Sequence, residues 1–173
     1  MNNREISKII ALCGIATAFG VIFILIGVFV PLLDMAMFMT ASMCLMLPLY
    51  KNYLKGAALT YVCISVLAFL FSGANFFAIM PYIIFFGYHP ILNYLQMKFK
   101  IDVKISVAIN CLIFNIAFYF IFNFSKIFID SDILDKIPYV LLAVFATVIF
   151  IIYDLAFKNL QLKANQIFKR FIK

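Results

Sequence analysis

Cys111, Asn115, Tyr119 and Asn123 recur at intervals of four along one apolar stretch of the chain. On a helix of 3.6 residues per turn they share roughly one face, with Asn110 about 100° from Cys111. An amide offers donors and acceptors together, and a phenol adds a flat wall with a polar tip. Such groups recognise a molecule by hydrogen bonding. Asn115 falls near the middle of the stretch, and Tyr119 and Asn123 fall toward its outer end. The stripe therefore reads as the wall of a small-molecule pocket that opens outward. The same spacing also serves hydrogen bonds between membrane helices, and both readings stand at this point. Asn75 in the turn 72–75, with Asp34, Tyr82 and Tyr139, completes an expected outer rim; Ser-Gly-Ala-Asn also makes a plain tight turn.

The remaining chemistry-bearing residues point away from catalysis. His89 is the only histidine and has no partner at metal-ligand or catalytic spacing. It lies beside Gly87 and Pro90, where a kink frees carbonyls that it can bond. Asp154 is the one acid inside an apolar run, and Lys51 or Lys158 can reach it by snorkelling. Met35, Met39, Met43 and Met46 share a stripe that suits either ordinary packing or an adaptable surface. Cys13, Cys44, Cys63 and Cys111 each sit in an apolar run with no CxxC spacing, as small buried hydrophobes do. The sequence holds no HExxH, no GxSxG and no GxxxxGK[ST]. The expectation is a protein that is not an enzyme, with no cofactor and no metal.

The elements that position these residues follow from composition. Of 173 residues 67% are hydrophobic and 12% charged, and mean hydropathy is +1.13. That excludes a soluble domain and a disordered chain, and the net charge of +7 is too scattered for a nucleic-acid face. Continuous apolar runs exclude the alternation of a membrane β-barrel. Charged and turn-forming breaks leave six runs, 9–30, 35–50, 56–71, 76–95, 105–122 and 138–157. The reading is an all-α integral membrane protein, one six-helix domain over 1–173, N-in and C-in. The runs 35–50 and 56–71 reach only about 24 Å as helices, short of a ~30 Å hydrocarbon core, and span by borrowing flanking residues. The first run is too long for a signal-peptide core and has no cleavage site, so it is expected to stay as a membrane helix. With six crossings, twelve of the fourteen Lys and Arg fall inside and only Lys126 and Lys136 outside, as the positive-inside rule asks. The tail 158–173 is an amphipathic extension suited to the anionic inner leaflet. Ala11, Gly14, Ala16 and Ala18 form small-xxx-small pairs that let helices approach closely, either within the bundle or against another membrane protein. No internal repeat is visible, which leaves an inverted-repeat transporter unsupported.

Two stretches carry a resemblance to a known family. A charged stub (Arg4, Glu5, Lys8) precedes the small-residue face of Ala11, Gly14, Ala16 and Ala18, and the segment PYIIFFGYHPILNYL at 81–95 follows later. In these stretches, and in size and topology throughout, the chain resembles the substrate-binding S components of energy-coupling factor (ECF) vitamin transporters. The resemblance implies capture of a vitamin-like micronutrient from outside, among the outer halves of helices four to six and the first outer loop. It implies docking through the small-residue face onto a transmembrane coupling subunit with two ATPase subunits, in a bacterial cytoplasmic membrane. Asn75, Asn115, Tyr119 and Asn123 would then be pocket residues. No motif diagnostic of riboflavin, thiamine, biotin or folate is present, and the face mixes Gly with Ala. The alternative is a structural membrane protein of the MreD cell-shape type, similar in size and helix count, which binds proteins and no solute.

Overall fold

The structure, a computed structural model, describes residues 3–128 and 138–171, and these are helical with no strand. Five helical segments are long and apolar enough to cross a membrane: Glu5–Phe29, Leu54–Phe71, Phe76–Lys98, Val103–Asn123 and Tyr139–Ala164. The chain is thus an all-α, multi-pass membrane protein. The expected outer residues Asp130, Asp132, Asp135 and Lys136, and the Lys126 side chain, lie outside the described residues.

Helix α1 (Asn3–Phe29) runs into a short 3-10 turn, Pro31–Leu33. Proline has no N–H to continue a helix, and the chain reverses there. The expected second span is two helices, α2 (Asp34–Met43) and α3 (Met46–Tyr50). Pro48 explains the break. It cannot donate to the Cys44 carbonyl, which instead accepts from Leu47 N at 3.2 Å. The whole segment Asp34–Tyr50 stays below the length of a full crossing helix. Helix α4 (Leu54–Phe71) ends in a turn where Gly73 and Ala74 both adopt left-handed φ, 71° and 60°. The Ala74 N–H closes it by donating to the Phe69 carbonyl at 3.0 Å.

The fourth crossing segment is interrupted as well. Helix α5 (Phe76–Pro81) passes into a π-turn, Tyr82–Phe86, before α6 (His89–Lys98). The Gly87 N–H reaches back five residues to the Tyr82 carbonyl at 2.7 Å. Tyr61 of α4 donates its phenol to the Ile83 carbonyl at 2.7 Å, satisfying a group that the irregular turn exposes. Helix α7 (Val103–Phe128) follows a turn in which Asp102 accepts from Lys104 N. Helix α8 (Tyr139–Phe171) is one unbroken helix of 33 residues, about 50 Å long, so the amphipathic tail continues its axis without a corner.

The described residues form two compact units, 3–98 with 161–171, and 99–160. In the first, buried glycines set the helix spacing. A side chain at Gly20 would fall on Ile64, one at Gly27 on Met37 and Phe38, and one at Gly56 on Tyr53 and Cys13. Cys13 beside Gly56 and Gly20 beside Ile64 mean that α1 and α4 run parallel. The segment Asp34–Tyr50 returns the chain between them, with Phe38 and Leu49 buried. Gln161 belongs to this unit and donates to the Pro90 carbonyl at 3.3 Å. In the second unit α7 and α8 pack antiparallel through stacked rings. Phe114 lies face to face with Phe150 at 4.5 Å, and Tyr139 packs on Phe118 and Phe122 at the far end.

Candidate functional site

The α7–α8 pair holds the polar residues of the second unit at two levels. At one level Asp154 is fully buried. Its Oδ2 pairs with Lys158 Nζ at 2.7 Å, one helical turn away, and its Oδ1 accepts from Asn110 Nδ2 at 2.8 Å. The carboxylate therefore keeps its charge neutralised and both oxygens bonded in an apolar surround. Lys158 is the partner rather than Lys51. Asn110, off the main polar stripe, ties the two helices together at this level.

Nearer the other end, Asn115 and Tyr139 line an open groove of about 310 Å³ with Val140, Ala143, Val144, Thr147 and Val148. Six of these residues come from α8 at positions 139–140, 143–144 and 147–148, which is one helical face; Asn115 is the contribution of α7. The volume is at the small end of ligand pockets, roughly 300–1,000 Å³. The walls are mainly aliphatic, and the polar groups are few and converge. Asn115 Nδ2 donates to the Cys111 carbonyl at 2.9 Å, which uses one of its two protons. The Thr147 hydroxyl lies 2.7 Å from the Ala143 carbonyl and 3.1 Å from Asn115 Oδ1. The hydroxyl proton is shared between the two oxygens, so Asn115 Oδ1 is engaged by Thr147 and its Nδ2 keeps one further proton.

The expected site residues divide. Asn115 and Tyr139 meet in the groove. Tyr119 touches Tyr139 edge to face at 6.0 Å and is half exposed, while Asn123 is exposed and spends its Nδ2 on the Tyr119 carbonyl at 2.8 Å. Asn75, Asp34 and Tyr82 belong to the first unit. Asn75 is the N-cap of α5, its Oδ1 accepting from Ala78 N at 3.2 Å, and Asp34 accepts from Met35 N at the start of α2. The Asn75 carboxamide thus caps α5, whereas Asp34 is the first residue of α2 and its carboxylate binds only the next N–H. Tyr82 is wholly buried against Tyr61, with no hydrogen-bond partner for its hydroxyl among the described residues.

The small-residue face of α1 also divides. Ala11, Gly14 and Ala18 are exposed and a side chain at Gly14 would meet open space, whereas Ala16 is fully buried. The methionine stripe splits in the same way, with Met46 in the core and Met35 exposed. The chain matches no protein-family model, no characterised protein and no solved structure. Among the described residues no group of His, Cys, Asp and Glu is placed to hold a metal ion. Thr147 escaped the sequence reading because a single threonine in an apolar run carries no spacing signal; its distance in register from Asn115 is visible only once α7 and α8 are paired.

Proposed function

We propose that the chain is the membrane-embedded substrate-binding subunit of an ECF-type transporter, which takes a vitamin-like micronutrient from outside and passes it to an ATP-driven coupling module. The groove of α7 and α8 carries this reading, because its aliphatic wall and few polar groups, Asn115, Thr147 and Tyr139, suit a small, partly apolar molecule. Tyr139 and Tyr119 supply the flat edge against which a ring could stack. We further infer six crossings with both ends inside a bacterial cytoplasmic membrane. The parallel run of α1 and α4 supports this, since Asp34–Tyr50 must bring the chain back, and so does the placing of twelve basic residues against two. Docking on the coupling subunit falls to Ala11, Gly14 and Ala18, because Ala16 is used in packing.

The closely filled first unit, with Tyr82 sealed inside, favours a second reading, the protein-binding scaffold of the MreD type. One experiment separates the two. Tagged protein is captured from its native membrane and the co-purifying proteins are identified by mass spectrometry. The transporter reading expects a coupling subunit with two ATPases, and expects Gly14→Leu to lose them while folding normally. Recovery of cell-wall or shape proteins with no ATPase sinks it.

A further inference from the structure

We propose that the basic end of the first unit is a seat for the headgroup of an anionic glycerophospholipid, formed by Lys51, Lys55 and Lys98 around the turn that joins α3 to α4. The turn is held rigidly. Asn52 adopts a left-handed φ of 56° and accepts a hydrogen bond from Tyr94 of α6, at 2.8 Å to its Oδ1. Leu49, Ala57 and Tyr94 are buried together just inside it, with Leu54, Ile91 and Leu95 packed on them. Lys98 stands one helical turn beyond Tyr94, on the same face of α6. The Tyr94–Asn52 bond therefore brings Lys98 to the end of the unit where Lys51 and Lys55 project. All three lysines are exposed. Lys51 lies over the Tyr50 ring at 5.3 Å from its centroid, which keeps its ammonium at the edge of the apolar zone.

Lysines outnumber acids at this end of the unit, where Glu5 is the acid among the described residues. Between Asp34 and Asp102 the sequence contains no Asp or Glu at all, although Lys51, Lys55, Lys98 and Lys100 lie in that interval. Of the unit's two acids, Glu5 lies about two turns before Cys13, at the same end, and Asp34 begins α2 next to Gly27, at the far end of α1 from Cys13 and Gly56. Like charges gathered at one end of an apolar bundle repel one another, and a phosphodiester bound among them lowers that repulsion. Acyl chains have a surface ready for them, because Leu59, Val62 and Val66 of α4 are exposed directly above Lys55. A molecule with an anionic head and apolar tails fits both features, which an acidic protein does not. The seat would exist in a transporter subunit and in a scaffold alike, so its failure leaves the transporter reading untouched.

The test reconstitutes the full chain in phosphatidylcholine nanodiscs with and without phosphatidylglycerol, and reads thermal unfolding and the lipids retained in native mass spectrometry. The wild type is expected to unfold at higher temperature with phosphatidylglycerol and to retain it selectively. Each lysine lost is expected to weaken retention about fivefold. Lys51→Gln/Lys55→Gln/Lys98→Gln then loses the preference, and the corresponding triple Arg variant keeps it. Equal behaviour of the wild type in both lipids overturns the proposal, as does an undiminished preference in the Gln variant. Saturable capture of soluble polyglutamate without a lipid preference overturns it in favour of an acidic protein partner. The same stabilisation by soluble glycerol phosphate overturns the lipid as its source.

Discussion

The Asp154 carboxylate accepts from two directions, and each bond does a different task. Lys158 neutralises it along α8, and Asn110 uses it to fix the register of α7. Removing either member of the ion pair strands the other in an apolar surround, at a cost of about 3 kcal/mol. Asp154→Ala and Lys158→Ala are each expected to lower stability by that amount in a thermal or denaturant assay. The double variant should fall short of the sum by at least about 1 kcal/mol; strictly additive losses would show that the pair is not coupled. The acid was legible in the sequence with two candidate cations, Lys51 and Lys158, and the structure selects Lys158 at i+4. Asn110 as the cross-helix donor was not legible, because its partner is 44 residues away and only the pairing of α7 with α8 brings them together.

At the scale of elements, the glycines separate two kinds of helix surface. Gly87 sits against the Tyr61 ring and 3.0 Å, measured from an added Cβ, from the Tyr82 carbonyl. Gly87→Ala must displace Tyr61 and its bond to Ile83, and is expected to cost about 2 kcal/mol by overpacking. Gly14→Ala meets open space within a helix and should instead stabilise by about 0.5 kcal/mol. A melting temperature for each variant checks both signs, and equal effects would refute the division. A run of apolar residues punctuated by Pro81, Gly87 and Pro90 announces an irregular helix. It does not announce a π-turn, which depends on Tyr61 arriving from α4 to satisfy Ile83. Small residues on α1 were equally visible as a class, yet which of them face inward depends on the angle at which α4 and α2 pack. That angle assigns Ala16 to the core and leaves Ala11, Gly14 and Ala18 outside.

For the whole molecule, the inferred six crossings make a parity prediction. Reporters fused to the two ends of the chain should both be active in the cytoplasm, and reporters at Asp34 and in the turn 72–75 should lie outside. If Asp34–Tyr50 fails to cross, the two ends fall on opposite sides and the reporter at the C-terminal end changes compartment. Hydropathy made the membrane class and four long runs readable from residue types alone, since each long apolar run has one physical solution in a bilayer. The runs 35–50 and 56–71 both read as short; Leu54–Phe71 is long enough to cross, whereas Asp34–Tyr50 stays short and broken, because the effect of Pro48 on the Cys44 carbonyl is local and its compensation by Leu47 is a matter of geometry. That short, broken segment bears on how the protein is made. A segment below the length of a full crossing and interrupted at mid-length inserts less readily by itself than a long continuous helix. Its nearest surface is α1, where Gly27 leaves room for Phe38 and Met37. On the six-crossing reading, α1 is already in the bilayer when residues 34–50 leave the ribosome. The second segment then enters as the other arm of a hairpin, so that tertiary contact precedes insertion and the first helix acts as the template for the next.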